Sequence, residues 1–245
     1  MKIINPATGR AVREIEETPP ADLANLLLRA RQAQAPWKKT PLEQRLSCLE
    51  KFQLALRENK EALARDLTTE VGKPLTEARS EVEGAAGKID FFLNHSAELL
   101  APKEAVSGPQ TREILDYDPL GVVGVISAWN YPLLVGINHY VPALIAGNAV
   151  LYKPSEWATL TGLNIARLLE SAGIPRDVFQ CLTGGPALGR SLVDLPLDGF
   201  FFTGSQKTGL AIAETVRSRL VPLGLELGGK DPLYVTEDVD IESAA

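Results

Sequence analysis

The chain has 245 residues, 45% of them hydrophobic and 23% charged, with a net charge of −6. That length builds a large core, at the upper end of one domain or one domain with an appendage, and the composition is that of an ordinary soluble globular protein. The negative balance argues against nucleic acid as a partner, since phosphate binding needs a basic surface. Two cysteines, Cys48 and Cys181, are too few for a disulfide framework or a zinc site, and two histidines, His95 and His139, leave little for metal ligation or a Ser-His-Asp relay. The start, "MKIINPATGR", lacks the apolar core of a signal peptide. The most apolar region, residues 133–151, is broken by Asn138, His139, Pro142 and Asn148, so no membrane span is expected. A reducing, cytoplasmic compartment is the expectation.

In chain order, residues 3–17 read as a short hairpin: "INPATGR" offers turn residues and "AVREIEE" alternates. From Ala21 to Leu100, Leu, Ala and Phe recur at spacings of three and four, which predicts helices. Thr40-Pro41 reads as an N-cap followed by a first-turn proline, and Gly72-Lys73-Pro74 separates two long helices. After residue 110 short β-branched runs alternate with amphipathic segments. Strands are expected at "TREILDYD", "GVVGVIS", "AVLYKP", "VFQCLTG", "GFFFTGS", "VPLGLEL" and "PLYV", with helices at 157–172 and 205–217 among those between them. Alternating strands and helices predict an α/β fold: a Rossmann-like, mostly parallel sheet flanked by helices and preceded by a helical segment. The expected units are 1–105 (hairpin and helical segment), 106–120 (a short arm) and 121–245 (the dinucleotide-binding core).

Ligands of such sheets bind at the carboxyl ends of strands, and four turns there carry unusual residues. "ISAWNYP" places Asn130 just past a buried strand, where its amide is either a donor to a developing oxyanion or a turn Asn before a helix starting at Pro132. "YKPSE" places Lys153 at a strand end, followed by Ser155 and Glu156. This pair of charges suits the hydroxyls of a ribose, or else Ser155 and Glu156 cap the next helix. "FFTGSQKTG" puts Gly204 and Ser205 at a helix start that suits a pyrophosphate, with Gly209 completing a loose glycine pattern; a left-handed turn is the rival. "LELGGK" sets Glu226 between two leucines, which predicts a buried carboxylate with a raised pKa, suited to a general base.

With "WNYP", the "GN" of "AGNAVLYKPSE", "FTGS" and "LELGGK" in this order, together with "INPATG" and "DLTTEVGKP" upstream, the chain resembles the aldehyde dehydrogenase superfamily, NAD(P)-dependent oxidisers of aldehydes to acids. The resemblance runs from about residue 3 to the end. It implies that Asn130 is the oxyanion-hole amide and Glu226 the base that activates the deacylating water. It further implies that Lys153 and Glu156 bind the adenosine ribose and that Ser205 meets the pyrophosphate. Ile126, Ser127 and Trp129 would line the cofactor cleft, with Ser155, Gly204 and Gly209 in the same cofactor-binding set. Segment 111–118 resembles part of the family's oligomerisation arm, which leaves a homo-oligomer open without fixing the oligomeric state.

The resemblance also implies a nucleophilic cysteine downstream of Glu226, in a separate catalytic domain. Cys48, in "EQRLSCLEKF", and Cys181, mid-strand in "VFQCLTG", read as structural thiols instead. The expectation is therefore a truncated aldehyde dehydrogenase that binds NAD and does not oxidise aldehydes by itself. The alternative is a free-standing dinucleotide-binding module or pseudoenzyme. A reductive branch acting on acyl phosphates or thioesters fits less well, because such branches generally lack an acid where Glu226 stands. Glu156 argues for NAD over NADP by repelling a 2′-phosphate.

Overall fold

The computed structural model describes residues 1–244; Ala245, the last residue of the expected core unit, lies outside them. The chain begins with an antiparallel hairpin of β1 (Lys2–Ile4) and β2 (Ala11–Glu14). Four helices follow: α1 (Leu23–Trp37), α2 (Leu42–Glu58), α3 (Lys60–Val71) and α4 (Leu75–Leu99). A second hairpin pairs β3 (Lys103–Ser107) with β4 (Arg112–Leu115), exposed along its length. The remainder alternates β5 (Val122–Ile126), α5 (Pro132–Ile145), β6 (Ala149–Lys153), α6 (Thr159–Ser171), β7 (Phe179–Cys181), α7 (Pro186–Asp194), β8 (Gly199–Gly204), α8 (Gln206–Val216) and β9 (Leu223–Leu227), with a last turn of helix, α9 (Ile241–Ala244).

The five core strands form one parallel sheet in the order β7-β6-β5-β8-β9. The chain steps outward from β5 through β6 to β7, then returns to the other side of β5 for β8 and β9. The order therefore reverses between β5 and β8, and the crevice beyond their carboxyl ends is the natural ligand site of such a sheet.

Unbroken apolar strands follow from helices on both faces. Val123 and Val125 of β5 and Val150 and Tyr152 of β6 enter one core with Leu49, Phe52, Val82, Ile89, Ile137 and Tyr140. Their neighbours Val122, Ala149 and Leu151 turn the other way, to a core with Leu27, Leu192, Phe200, Phe202 and Ile212. The period-two alternation thus serves two cores at once.

The helical segment also fixes the helices that leave β5 and β6. Glu81 of α4, buried, accepts from the Leu133 and Leu134 amides at 2.9 and 3.3 Å and pairs with the Lys73 ammonium. At the other end of α5, the Arg45 guanidinium donates to the Ile145 carbonyl at 2.7 Å, and the Trp37 indole donates to Leu144 at 3.1 Å. A carboxylate at one end and a cation at the other both suit the helix dipole. Glu70 of α3 does the same for α6, accepting from the amides of Leu160 and Thr161 and from the Thr161 hydroxyl.

Several sequence expectations change. Thr40 does not cap α2; its hydroxyl donates back to the Pro36 carbonyl at 3.3 Å, and Pro41 itself occupies the cap position. Gly72, with φ of 83°, ends α3 in the left-handed region that suits glycine, so the Gly-Lys-Pro break is real. The helix expected from residue 157 opens with a short 3-10 turn, Glu156–Ala158. Cys181 is the last residue of β7, not mid-strand. "PLYV" forms no strand: residues 232–235 are exposed and pair with nothing in the sheet, which ends at β9.

Candidate active site

A cleft of about 1120 Å³ lies over the carboxyl ends of β5, β6, β8 and β9. The fold brings Ile126, Ser127, Trp129, Asn130, Lys153, Ser155, Glu156, Gly204, Ser205 and Glu226 to its walls. Gly209 is not on them. It is buried on α8, where an added Cβ would stand 2.6 Å from Leu227, so its lack of a side chain lets α8 pack closely on β9.

On the β5 side, Trp129 and Asn130 are exposed, and among the described residues the Asn130 amide has no partner. The turn they occupy is fixed from below: Lys73 lies 4.0 Å from the centre of the Tyr131 ring while pairing with Glu81. Ser127 is buried beside the Tyr152 phenol, and neither hydroxyl reaches hydrogen-bonding geometry.

At the end of β6, Lys153 is buried and donates to the Pro154 carbonyl at 3.0 Å, with Glu156 3.8 Å away. Burial lowers its pKa, and the Glu156 charge opposes that fall. Its methylenes run past Gly189 of α7, at the ordinary contact distance of 3.6 Å from where a Cβ would stand. Ser155 caps the 3-10 turn by accepting from the Trp157 amide at 3.3 Å, so its hydroxyl is engaged in local structure.

At the end of β8, Gly204 is still in the strand, without a positive φ, which removes the left-handed turn as an account of this motif. Ser205 caps α8 by accepting from the Thr208 amide at 3.3 Å. The amides of Gln206 and Lys207 ahead of it have no acceptor among the described residues. Lys207 and Arg190, both exposed on the cleft, add positive charge. Neither cation stands out in the sequence; for Arg190 of α7 the "TGGPALGR" turn after β7 is the signal available, and for Lys207 of α8 the "FTGS" helix start.

Glu226 departs most from expectation. It lies exposed at the cleft mouth rather than buried, although Leu225 and Leu227 flank it. β9 is the sheet edge, and residues 228–242 beyond it are exposed throughout. Opposite Glu226 in the β8–β9 register stands Thr203, whose hydroxyl is 3.0 Å from His139 Nε2.

Neither cysteine faces the cleft. Cys48 is partly buried on α2, and burial raises its thiol. Cys181 packs partly buried against the helical core, its thiol pushed up to about 12 by burial, against the pull of the Lys153 ammonium. No group of histidines, cysteines and carboxylates suited to a metal occurs among the described residues.

The sequence pattern of the family described as "Aldehyde dehydrogenase family" matches residues 1–245. An N-succinylglutamate 5-semialdehyde dehydrogenase from Novosphingobium aromaticivorans is 37% identical over 98% of this chain and 51% of its own length. A betaine aldehyde dehydrogenase from Staphylococcus aureus, solved in complex with NAD+, superposes with a TM-score of 0.93 at 29% identity, over 100% of this chain and 50% of that one. The NADP-dependent glyceraldehyde-3-phosphate dehydrogenase from Bacillus halodurans C-125, complexed with NADP, gives 0.92 at 32% identity, over 100% of this chain and 52% of that one. The chain spans about half the length of the relatives it matches. It belongs to the aldehyde dehydrogenase family.

Proposed function

We propose that the cleft binds a nicotinamide dinucleotide and that the chain serves an NAD(P)-dependent oxidation of an aldehyde to a carboxylic acid. One observation carries this reading: α8 starts on the cleft with the amides of Gln206 and Lys207 open beside a lysine, whereas α5 and α6 have their first amides filled by Glu81 and Glu70. An open helix start with a cation nearby suits a pyrophosphate. Lys153 and Glu156, one donor set and one acceptor set, suit the hydroxyls of the adenosine ribose. Glu156 then favours NAD over NADP, because a 2′-phosphate would meet its charge.

When bound, the nicotinamide ring supplies the hydride acceptor. Asn130 offers an unengaged amide to the oxygen on which negative charge develops. Glu226, open to the cleft, takes a proton from the water that releases the acid. The covalent step needs a thiolate, and both thiols of this chain are held protonated by burial and turned from the cleft. The 245-residue chain is therefore expected to bind the dinucleotide without turning over aldehyde. The exposed β3–β4 hairpin, with Val106, Ile114 and Leu115 on its surface, supports a homo-oligomer. No helix among the described residues is long and apolar enough to cross a membrane.

Calorimetric titration with NAD and an absorbance assay for NADH over a panel of short and aromatic aldehydes test both halves. Undetectable binding would refute the site. Turnover that survives replacement of Cys48 and Cys181 by Ser would refute the chemistry.

A further inference from the structure

His139 lies on α5, half-buried, where the reaction above leaves it unused. Its ring stacks on Phe201 with 5.7 Å between centroids, and its Nε2 is 3.0 Å from the Thr203 hydroxyl. Thr203 and Glu226 are register partners on adjacent parallel strands, so their side chains leave the same face of the sheet, and both line the cleft. Phe201, two residues before Thr203, shares that face and packs against the core to which α5 contributes. Imidazole, hydroxyl and carboxylate thus follow one another from α5 across β8 to β9.

We propose that His139 is a positioning residue that shares a proton with Glu226, linked through Thr203, and receives the proton that the carboxylate takes from water. This rests on the role of Glu226 as the base. The transfer balances without any change of electrons. A water O–H bond breaks and its proton passes to a Glu226 oxygen. The carboxyl then gives a proton to Thr203 Oγ1 as the Thr203 hydroxyl proton moves to Nε2. A hydroxide, a restored carboxylate and an imidazolium result.

The surroundings of the ring suit an acceptor. Burial lowers the His139 pKa and the Glu226 charge acts against that fall, so the imidazole is neutral near neutral pH. Other groups against α5 do not compete. The carboxylate that α4 turns to it, Glu81, is held by the Leu133 and Leu134 amides at the helix start. The Tyr140 and Tyr152 phenols are raised by burial and stay protonated. Phe52 of α2, Val123 and Val125 of β5 and Ile165 of α6 are uncharged members of the same core.

Because the chain has only two histidines, imidazole resonances in an NMR titration of the 245-residue protein separate cleanly once His95→Gln identifies the other. The expected result is a His139 midpoint that falls further when Glu226→Gln removes the neighbouring charge, with the His95 midpoint unmoved. Thr203→Ser should keep this response and Thr203→Val should shift the His139 ring resonances by removing their hydrogen-bond partner. An unchanged or raised His139 midpoint in Glu226→Gln would overturn the proposal, and so would an equal Glu226→Gln shift in the Thr203→Val background, since a charge felt only through space needs no hydroxyl between the two groups. Should Thr203→Val unfold the chain, Thr203→Ala supplies the same hydroxyl-free background for the Glu226→Gln comparison. Dinucleotide binding, measured separately by calorimetry, tests the underlying function independently.

Discussion

On one wall of the cleft, α5 and α6 begin against buried carboxylates supplied by α4 and α3; on the other, α8 begins on its own Ser205. The first two helix starts are closed, their amides consumed by Glu81 and Glu70, and the turns ahead of them present side chains: Asn130 after β5, Lys153 and Glu156 after β6. The third is open and presents backbone. A helix start filled by a protein carboxyl has less room for a second anion, so under the proposed function the walls take different partners: hydroxyls and a reacting carbonyl on one, a phosphate group on the other.

Breaking the closed wall should have the largest effect. Glu81→Ala leaves the Lys73 ammonium, 12% exposed at its side chain, without its partner and opens the start of α5. A loss of about 3 kcal/mol is expected in urea unfolding, as for other half-broken buried pairs. The second carboxylate can be probed with protons. Burial raises Glu70 to about 7, against the pull of its three hydrogen bonds. A carboxyl whose folded pKa is raised binds more protons folded than unfolded, so its contribution is complete below pH 4.5 and is lost as pH rises toward 7. Stability should decline across that window by up to about 3 kcal/mol, and Glu70→Gln should flatten the decline in thermal or urea melts taken at a series of pH values. A slope unchanged by Glu70→Gln would show that another group sets it.

The open wall should respond in binding and not in stability. Lys207→Glu is expected to weaken dinucleotide affinity about tenfold at low salt, and by less at high salt as the charges are screened, with the melting curve unmoved. The smallest effect belongs to selectivity. Glu156→Gln should narrow the preference for NAD over NADP by less than about tenfold, since Lys153 remains 3.8 Å from that position to attract a 2′-phosphate. Tighter NADP than NAD binding by the unaltered chain would overturn the assigned role of Glu156.

Much of the sheet was legible because its strands are short apolar runs between turn residues, and β5, β6, β8 and β9 lie within the segments expected. The turns were legible too, since each joins a strand end to polar residues in a few positions. What sequence could not convey was long-range. Glu81 and Glu70 act on amides 52 and 90 residues away, and nothing local distinguishes them from the other acids of their helices. Glu226 misled for the opposite reason: two flanking leucines suggest burial, but whether a strand is central or at an edge depends on pairing that the strand itself does not encode. Lys207 and Arg190 escaped because exposed cations are common on helices and only the cleft gives them meaning.

The trans-acting carboxylates also set an order for biosynthesis. Glu70 and Glu81 leave the ribosome before the amides they serve, at Leu133 and Leu160, have been translated. Leu49, Phe52 and Ile89, in the same early stretch, find Val125, Tyr140 and Tyr152 only when those later residues emerge. The nascent helical layer therefore waits with both acids hydrated and one apolar face bare until residue 160 or beyond has cleared the exit tunnel, the interval in which exposed apolar surface is most prone to aggregate.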